Sequence, residues 1–162
     1  MRLLCLLLVL SSLSSDVIAA SSGSHSLSSS KGVEVETGVI FSSDISVRAG
    51  ICDSFSSCWT PEKRDILMLE KSLSDFLRAS KDPRAQNIFK SLVAYKRKYF
   101  GYLRNETRNI LVVGLCAKFW HPGSATFQTD QRPMTDMGEC YFSVEYDTKT
   151  GRFSELYVDG EA

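Results

Sequence analysis

The sequence predicts an α+β fold in which one long and one short helix pack on a four-stranded antiparallel sheet, with a possible extra N-terminal edge strand. Three observations predict it. Two apolar stripes with helical spacing occupy residues 60–92, four strand-like stretches follow them, and the polar turns between those stretches are short enough for hairpins.

The chain opens on Met1-Arg2 and an apolar run from Leu3 to Leu10, interrupted by Cys5. That run falls short of the about 20 residues a membrane-spanning helix needs. Val17-Ile18-Ala19-Ala20 offers small residues for cleavage, so residues 1–20 are expected to be a signal peptide. Residues 21–32 are dominated by serine and hold too few apolar side chains to offset their ordering entropy, so they read as a disordered tether. His25 falls in that tether. Residues 33–58 read as an extended segment: Val33, Val35, Val39 and Phe41 share one parity, with Thr37 between them, and Ile45 and Val47 continue it. The segment ends in a polar loop from Cys52 to Cys58.

Residues 59–162 are expected to form the α+β domain. Thr60-Pro61-Glu62 supplies a capping hydroxyl, a proline suited to the first helical turn and an acid near the positive helix end. Ile66, Leu69, Leu73, Phe76 and Leu77 then recur at three- and four-residue steps, the signature of the long amphipathic helix. Asp82-Pro83 starts a shorter one, carrying Ala85, Ile88, Phe89 and Leu92 on one stripe. Four strands are predicted at 95–104, 109–120, 140–146 and 152–158. Asn105-Glu106-Thr107 turns the first pair, and residues 147–151, ending in Gly151, turn the last. The stretch from Ile110 to Ala117 is apolar on both parities, as an interior strand requires. Alternation breaks between Phe153 and Leu156, which predicts a β-bulge. The loop at 121–138 is long for a compact domain, and such loops tend to be functional or disordered.

Five cysteines are present, and cleavage of the leader removes Cys5. The remaining four, Cys52, Cys58, Cys116 and Cys140, are an even set in an exported chain and read as two disulfides, with three possible connectivities. A local Cys52–Cys58 bridge would close the polar loop. Cys116 and Cys140 flank the long loop and are preferred as the second pair. Neither pair has the Cys-x-x-Cys spacing of a zinc site, and only two histidines exist to complete one.

Lysine plus arginine number 19, as do aspartate plus glutamate, and losing Arg2 and Asp16 together preserves the balance. A neutral chain lacks the basic excess of a nucleic-acid binder, so no nucleic-acid partner is expected. No transmembrane anchor is expected either. There is no nucleophile-elbow serine, phosphate-cradling glycine loop, His-Glu-x-x-His or Asp-rich calcium loop, so the sequence names no catalytic residue, cofactor or metal ligand. Candidate binding residues are Arg97 and Tyr99, from a strand that interleaves cations with aromatics, and Trp120 and His121 at a strand end. An exposed strand face with lysines guarding its edge is the simpler account of the first pair. Asn105-Glu106-Thr107 is also an N-glycosylation sequon, meaningful in a chain that passes through a glycosylating export route.

The motifs Tyr95-x-Arg97-x-Tyr99-Phe100-Gly101, the apolar strand ending at Cys116, Gly138-x-Cys140-Tyr141-Phe142-x-Val144-x-Tyr146-Asp147 and Asp159-Gly160-x-Ala162 resemble those of short exported bacterial proteins of unassigned function. The resemblance covers residues 59–162. Helix followed by antiparallel sheet also resembles the cystatin-like and nuclear-transport-factor-like folds, but the cystatin inhibitory motif Gln-x-Val-x-Gly is absent, so protease inhibition does not carry over.

The leading expectation is therefore a secreted or periplasmic, disulfide-stabilised, non-enzymatic binding or envelope-associated module whose partner is an unknown protein or extracellular ligand. The first alternative is a small hydrolase or isomerase with a pocket between helix and sheet, using His121 or a buried acid as base. The second is an inhibitor or immunity protein that inserts the 121–138 loop into a target.

Overall fold

A computed structural model describes residues 32–53, 57–121 and 137–159. The leader, most of the serine-rich tether and most of the 121–138 loop lie outside the described residues. The chain runs through β1 (Val33–Val35), β2 (Gly38–Ile40), α1 (Ser43–Arg48), β3 (Cys58–Trp59), α2 (Lys63–Ala79), α3 (Pro83–Lys90), β4 (Tyr95–Arg104), β5 (Thr107–Cys116), β6 (Tyr141–Asp147) and β7 (Arg152–Val158).

These elements correct the predicted fold class. Among the described residues the sheet is mixed and has seven strands, in the order β1-β2-β4-β5-β6-β7 with β3 also paired to β4, and three α-helices accompany it. The difference arises before residue 60. Val33–Val35 and Gly38–Ile40 form a hairpin whose second strand lies parallel to β4, with Gly38 opposite Arg97 and Ile40 opposite Tyr99. Parallel pairing requires a crossover, and the long connection from β2 to β4 carries α1, β3, α2 and α3. One edge of β4 is thus shared by β2 and β3, while β5 pairs with its entire other edge.

Segment 33–58 is likewise not extended throughout, because Ile45 and Val47 belong to a helix. Asp44 takes the Ser42 hydroxyl and pairs with Arg48 at 3.2 Å, and the Ser43 amide donates to Thr60 Oγ1 at 3.0 Å. The helix stops at Gly50, which takes φ +72; its amide bonds the Val47 carbonyl and that of Ile51 the Ser46 carbonyl, a Schellman closure. Ile45 is fully buried by this arrangement. Thr60 therefore serves the start of α1. The N-cap of α2 is Glu62, in a reciprocal capping box with Asp65. At α3, Asp82 caps the Arg84 amide at 2.9 Å and Pro83 occupies the first turn.

Alternation along the strands defines two faces. Tyr95, Tyr99, Ile110, Val112, Phe142, Val144 and Tyr146 meet Ile66, Leu69, Leu73 and Leu77 of α2 and Ala85 and Ile88 of α3. Each fully buried aliphatic side chain here contributes about 1.5–3 kcal/mol. Phe100, Val113, Leu115 and Tyr141 point the other way and meet Phe41, Ile45 and Ala49. Cys52, Cys58 and Tyr102 form a smaller cluster beside them.

The β4–β5 turn contains two residues, Asn105 and Glu106, and Arg104 pairs with Thr107 across it. Both take positive φ, 50° and 62°, the requirement of a type I′ turn. The bulge lies in β7: Ser143 pairs with Tyr157 but Glu145 with Ser154, leaving one extra residue, and Glu155 has φ 52°. Disulfides join Cys52 to Cys58 and Cys116 to Cys140, with Cα separations of 5.8 and 4.8 Å.

Candidate functional site

Strand β4 does not present its cations and aromatics on one surface. The odd residues Tyr95, Arg97 and Tyr99 face the helices, and the even residues Lys96, Phe100 and Tyr102 lie on the opposite side. Arg97, Lys98 and Tyr99 are buried, whereas Lys96 is exposed. A continuous basic and aromatic stripe across the sheet surface is therefore not formed.

Arg97 and Tyr99 are brought together, inside the protein. The Arg97 guanidinium donates to both carboxylate oxygens of Glu70, at 2.9 and 2.7 Å, and to the carbonyls of Tyr95 and Leu92, at 2.7 and 3.4 Å. Tyr99 donates to Glu70 Oε1 at 2.9 Å, so the Thr37 hydroxyl, 2.6 Å away, donates to the Tyr99 oxygen. Burial pushes the Tyr99 phenol well above its ordinary range, and the Glu70 carboxylate pushes it further. It stays a neutral donor. The network joins α2, β4 and the turn between β1 and β2. Nearby, the Arg97 amide bonds the Thr37 carbonyl at 2.9 Å, and a side chain on Gly38 would lie 1.8 Å from the Arg97 carbonyl oxygen. These contacts hold the β1–β2 hairpin against the sheet.

Glu70 and Thr37 complete this network and are not among the sequence candidates. Glu70 carries a signal: it lies four residues after Ile66 and three before Leu73, on the buried stripe of α2. A carboxylate on such a stripe calls for a buried cation, and Arg97 is that cation.

Trp120 and His121 follow a short 3₁₀ turn after β5. His121 is exposed and Trp120 half-buried. Trp120 lines a recess of about 150 Å³ with Glu34, Val35, Gly38, Val39 and Lys96. The ammonium of Lys96 is fixed there by the Glu36 carbonyl at 2.9 Å. This recess joins an aromatic wall, a cation and a carboxylate, and it does not include Arg97 or Tyr99.

A second recess, of about 180 Å³, is lined by Gly50, Ile51, Tyr102, Arg104, Leu111 and Glu145. Arg104 lies over the Tyr102 ring at 5.6 Å and pairs with Glu145 and Glu155 at 2.7 and 2.8 Å. Burial raises the Tyr102 phenol above its ordinary range, and the adjacent Glu145 raises it further. The Tyr102 hydroxyl and Glu145 Oε2 are both sealed from solvent, and Oε2 takes the Arg104 guanidinium at 2.7 Å.

The layer between α2 and the sheet, where the enzymatic alternative needs its pocket, is occupied by Leu69, Leu73, Tyr99, Val112 and Phe142. Among the described residues, no group of three or more His, Cys, Asp or Glu side chains is placed to hold a metal ion, and no helix is long and apolar enough to cross a membrane. The base of the 121–138 loop is tied by the Cys116–Cys140 disulfide, by Tyr95 donating to the Glu139 carbonyl at 2.5 Å and by the Met137 amide donating to Asp159 at 2.8 Å. Compared with protein-family models, curated proteins and solved structures, the chain matches none.

Proposed function

We propose that this chain is an exported binding module, secreted or periplasmic, which recognises a protein or extracellular ligand at the recess beside Trp120. The observation that carries this reading is the pair of disulfides: two cross-links in one small domain belong to an oxidising compartment, which the leader-like residues 1–20 would reach. Arg97 and Tyr99 are withdrawn as contact residues by their buried hydrogen bonds. Trp120, Lys96 and Glu34 remain at a recess rim, with exposed His121 next in the chain, where an aromatic face and opposite charges suit a polar partner surface.

The test uses the chain expressed with its own leader, recovered oxidised and immobilised against the native secretome or envelope extract. The expected result is a partner retained by the wild type and lost by Trp120→Ala, with Glu70→Gln retaining it if folded. No specific partner for a stably folded chain, or capture indifferent to Trp120→Ala and Lys96→Ala, would contradict the reading.

A further inference from the structure

Asparagine occurs at three positions, 87, 105 and 109, and only Asn105 is followed by the pattern x-Thr, with glutamate rather than proline between. The fold sets this tripeptide at the β4–β5 turn. Asn105 and Glu106 are exposed, Thr107 is half-buried as the first residue of β5, and the chain reverses direction between the last two paired residues. The turn opens onto a polar cleft of about 450 Å³, shared with Arg108 and with Thr148 and Lys149 of the β6–β7 turn. Among the described residues, every side chain that lines this cleft is polar. The φ of 50° at Asn105 is one that asparagine tolerates better than most residues, so a single side chain serves both the turn and the acceptor position.

From the exposed turn, the unique sequon and the two disulfides we propose that Asn105 is the attachment point of an N-linked glycan. The inference rests on the export reading, since the donor is a lipid-pyrophosphate oligosaccharide used on the lumenal or external side of a membrane. In the transfer the Asn105 amide nitrogen attacks C1 of the first sugar. The C1–N bond forms, the C1–O bond to pyrophosphate breaks, the amide loses one proton, and lipid pyrophosphate leaves. No oxidant or reductant is required.

The location also fits the proposed partner surface. Lys96 in the Trp120 recess and Asn105 lie toward opposite ends of the same hairpin, nine residues apart along β4, which an extended strand spans in at most about 30 Å. A glycan at the turn leaves that recess open.

The test expresses the full chain with its own leader in a eukaryotic secretory host and reads two things separately: arrival in the medium, and a mobility shift on treatment with peptide N-glycosidase. The expected result is secreted protein with one enzyme-sensitive shift, lost in Asn105→Gly and in Thr107→Ala and kept in Thr107→Ser. Asn105→Gly suits the positive φ of the turn, so loss of the shift there reads acceptor chemistry and not misfolding. Secreted, disulfide-bonded protein without the shift overturns the proposal while leaving export intact. Retention of the chain in the cytosol overturns the export reading instead, and the same comparison with a substituted leader then decides the acceptor site: a shift lost in Asn105→Gly supports it, and its absence overturns it.

Discussion

The two faces of the sheet are closed in different ways. On one, α2 and α3 provide a continuous apolar layer over Tyr99, Val112, Phe142 and Val144, anchored by a buried Glu70–Arg97 ion pair. On the other, cover comes from the six-residue α1 and from Phe41, with the Cys52–Cys58 link close by. A helix of six residues has negligible stability alone, so it depends on Ile45 and Ala49 packing on Phe100, Val113 and Leu115 and on the chain being held at both ends. Packing area stabilises the first face. Covalent closure compensates for its scarcity on the second.

The largest expected effect lies on the helix face. Glu70→Ala leaves the Arg97 guanidinium, 5% exposed, without its counter-charge, and should cost about 3–5 kcal/mol in denaturant unfolding. The double variant Glu70→Leu with Arg97→Met should recover most of that loss, because the uncompensated charge is then gone. A loss below about 1 kcal/mol for Glu70→Ala would mean that the network does not hold α2 to the sheet.

Next are the disulfides, which separate covalent from packing contributions. By loop-closure entropy, removing Cys116–Cys140, with a sequence separation of 24, should cost about 3.5 kcal/mol. Removing Cys52–Cys58, with a separation of 6, should cost about 2.3 kcal/mol. Paired Cys→Ser variants measured by denaturation give both numbers. If the shorter link proves the costlier, its role is to hold the second face and not merely to restrict the unfolded chain.

A smaller gain is expected at the hairpin. Glu106 holds φ 62° without the freedom of glycine, so Glu106→Gly should raise stability by about 0.5–1 kcal/mol while leaving both faces unchanged. A fall in the unfolding midpoint would show that the turn geometry differs from type I′.

The smallest effects concern pH. The Ser42 hydroxyl, helped by Arg48, holds Asp44 of α1 below the ordinary carboxylate range, and Arg84 together with its own amide does the same to Asp82 at α3. A depressed folded pKa contributes stability that is present above the unfolded value of about 3.9 and is lost as pH falls through the folded value. Stability should therefore decline below about pH 4, and Asp44→Asn and Asp82→Asn should each flatten that decline. A decline unchanged by both substitutions would assign it to other carboxylates.

The helix face was the more legible in sequence. Ile66, Leu69, Leu73 and Leu77 repeat over three turns, Asp82-Pro83 marks the next helix, and the break between Phe153 and Leu156 marks the bulge at Glu155. Such signals are local and repeated. The second face was not legible because its elements are too short to establish a period: three residues in β2, six in α1 and two in β3. Val39, Phe41, Ile45 and Val47 share a strand parity that α1 interrupts, and only tertiary pairing with Arg97 to Tyr99 makes Gly38–Ile40 a parallel strand.

The candidate site divided along the same line. Arg97 and Tyr99 stood out as a charged and aromatic pair, but their partners Glu70 and Thr37 are 27 and 62 residues away in sequence, and burial turned the pair into internal structure. Trp120 and His121 stay nearer the surface. The cysteines left three connectivities open in sequence, and the observed pairing is the preferred one, closing a polar six-residue step and a loop base.

Disulfide mapping by mass spectrometry, on protein recovered without reductant after export under its own leader, tests the closure of the second face and the exported setting together. The expected result is Cys52–Cys58 and Cys116–Cys140 cross-linked peptides, no free thiol and an N-terminus close to Ala20. Four reactive thiols in folded protein, or a chain retained with Met1 and Cys5 still attached, would contradict both the closure of the second face and the exported setting on which the proposed function rests.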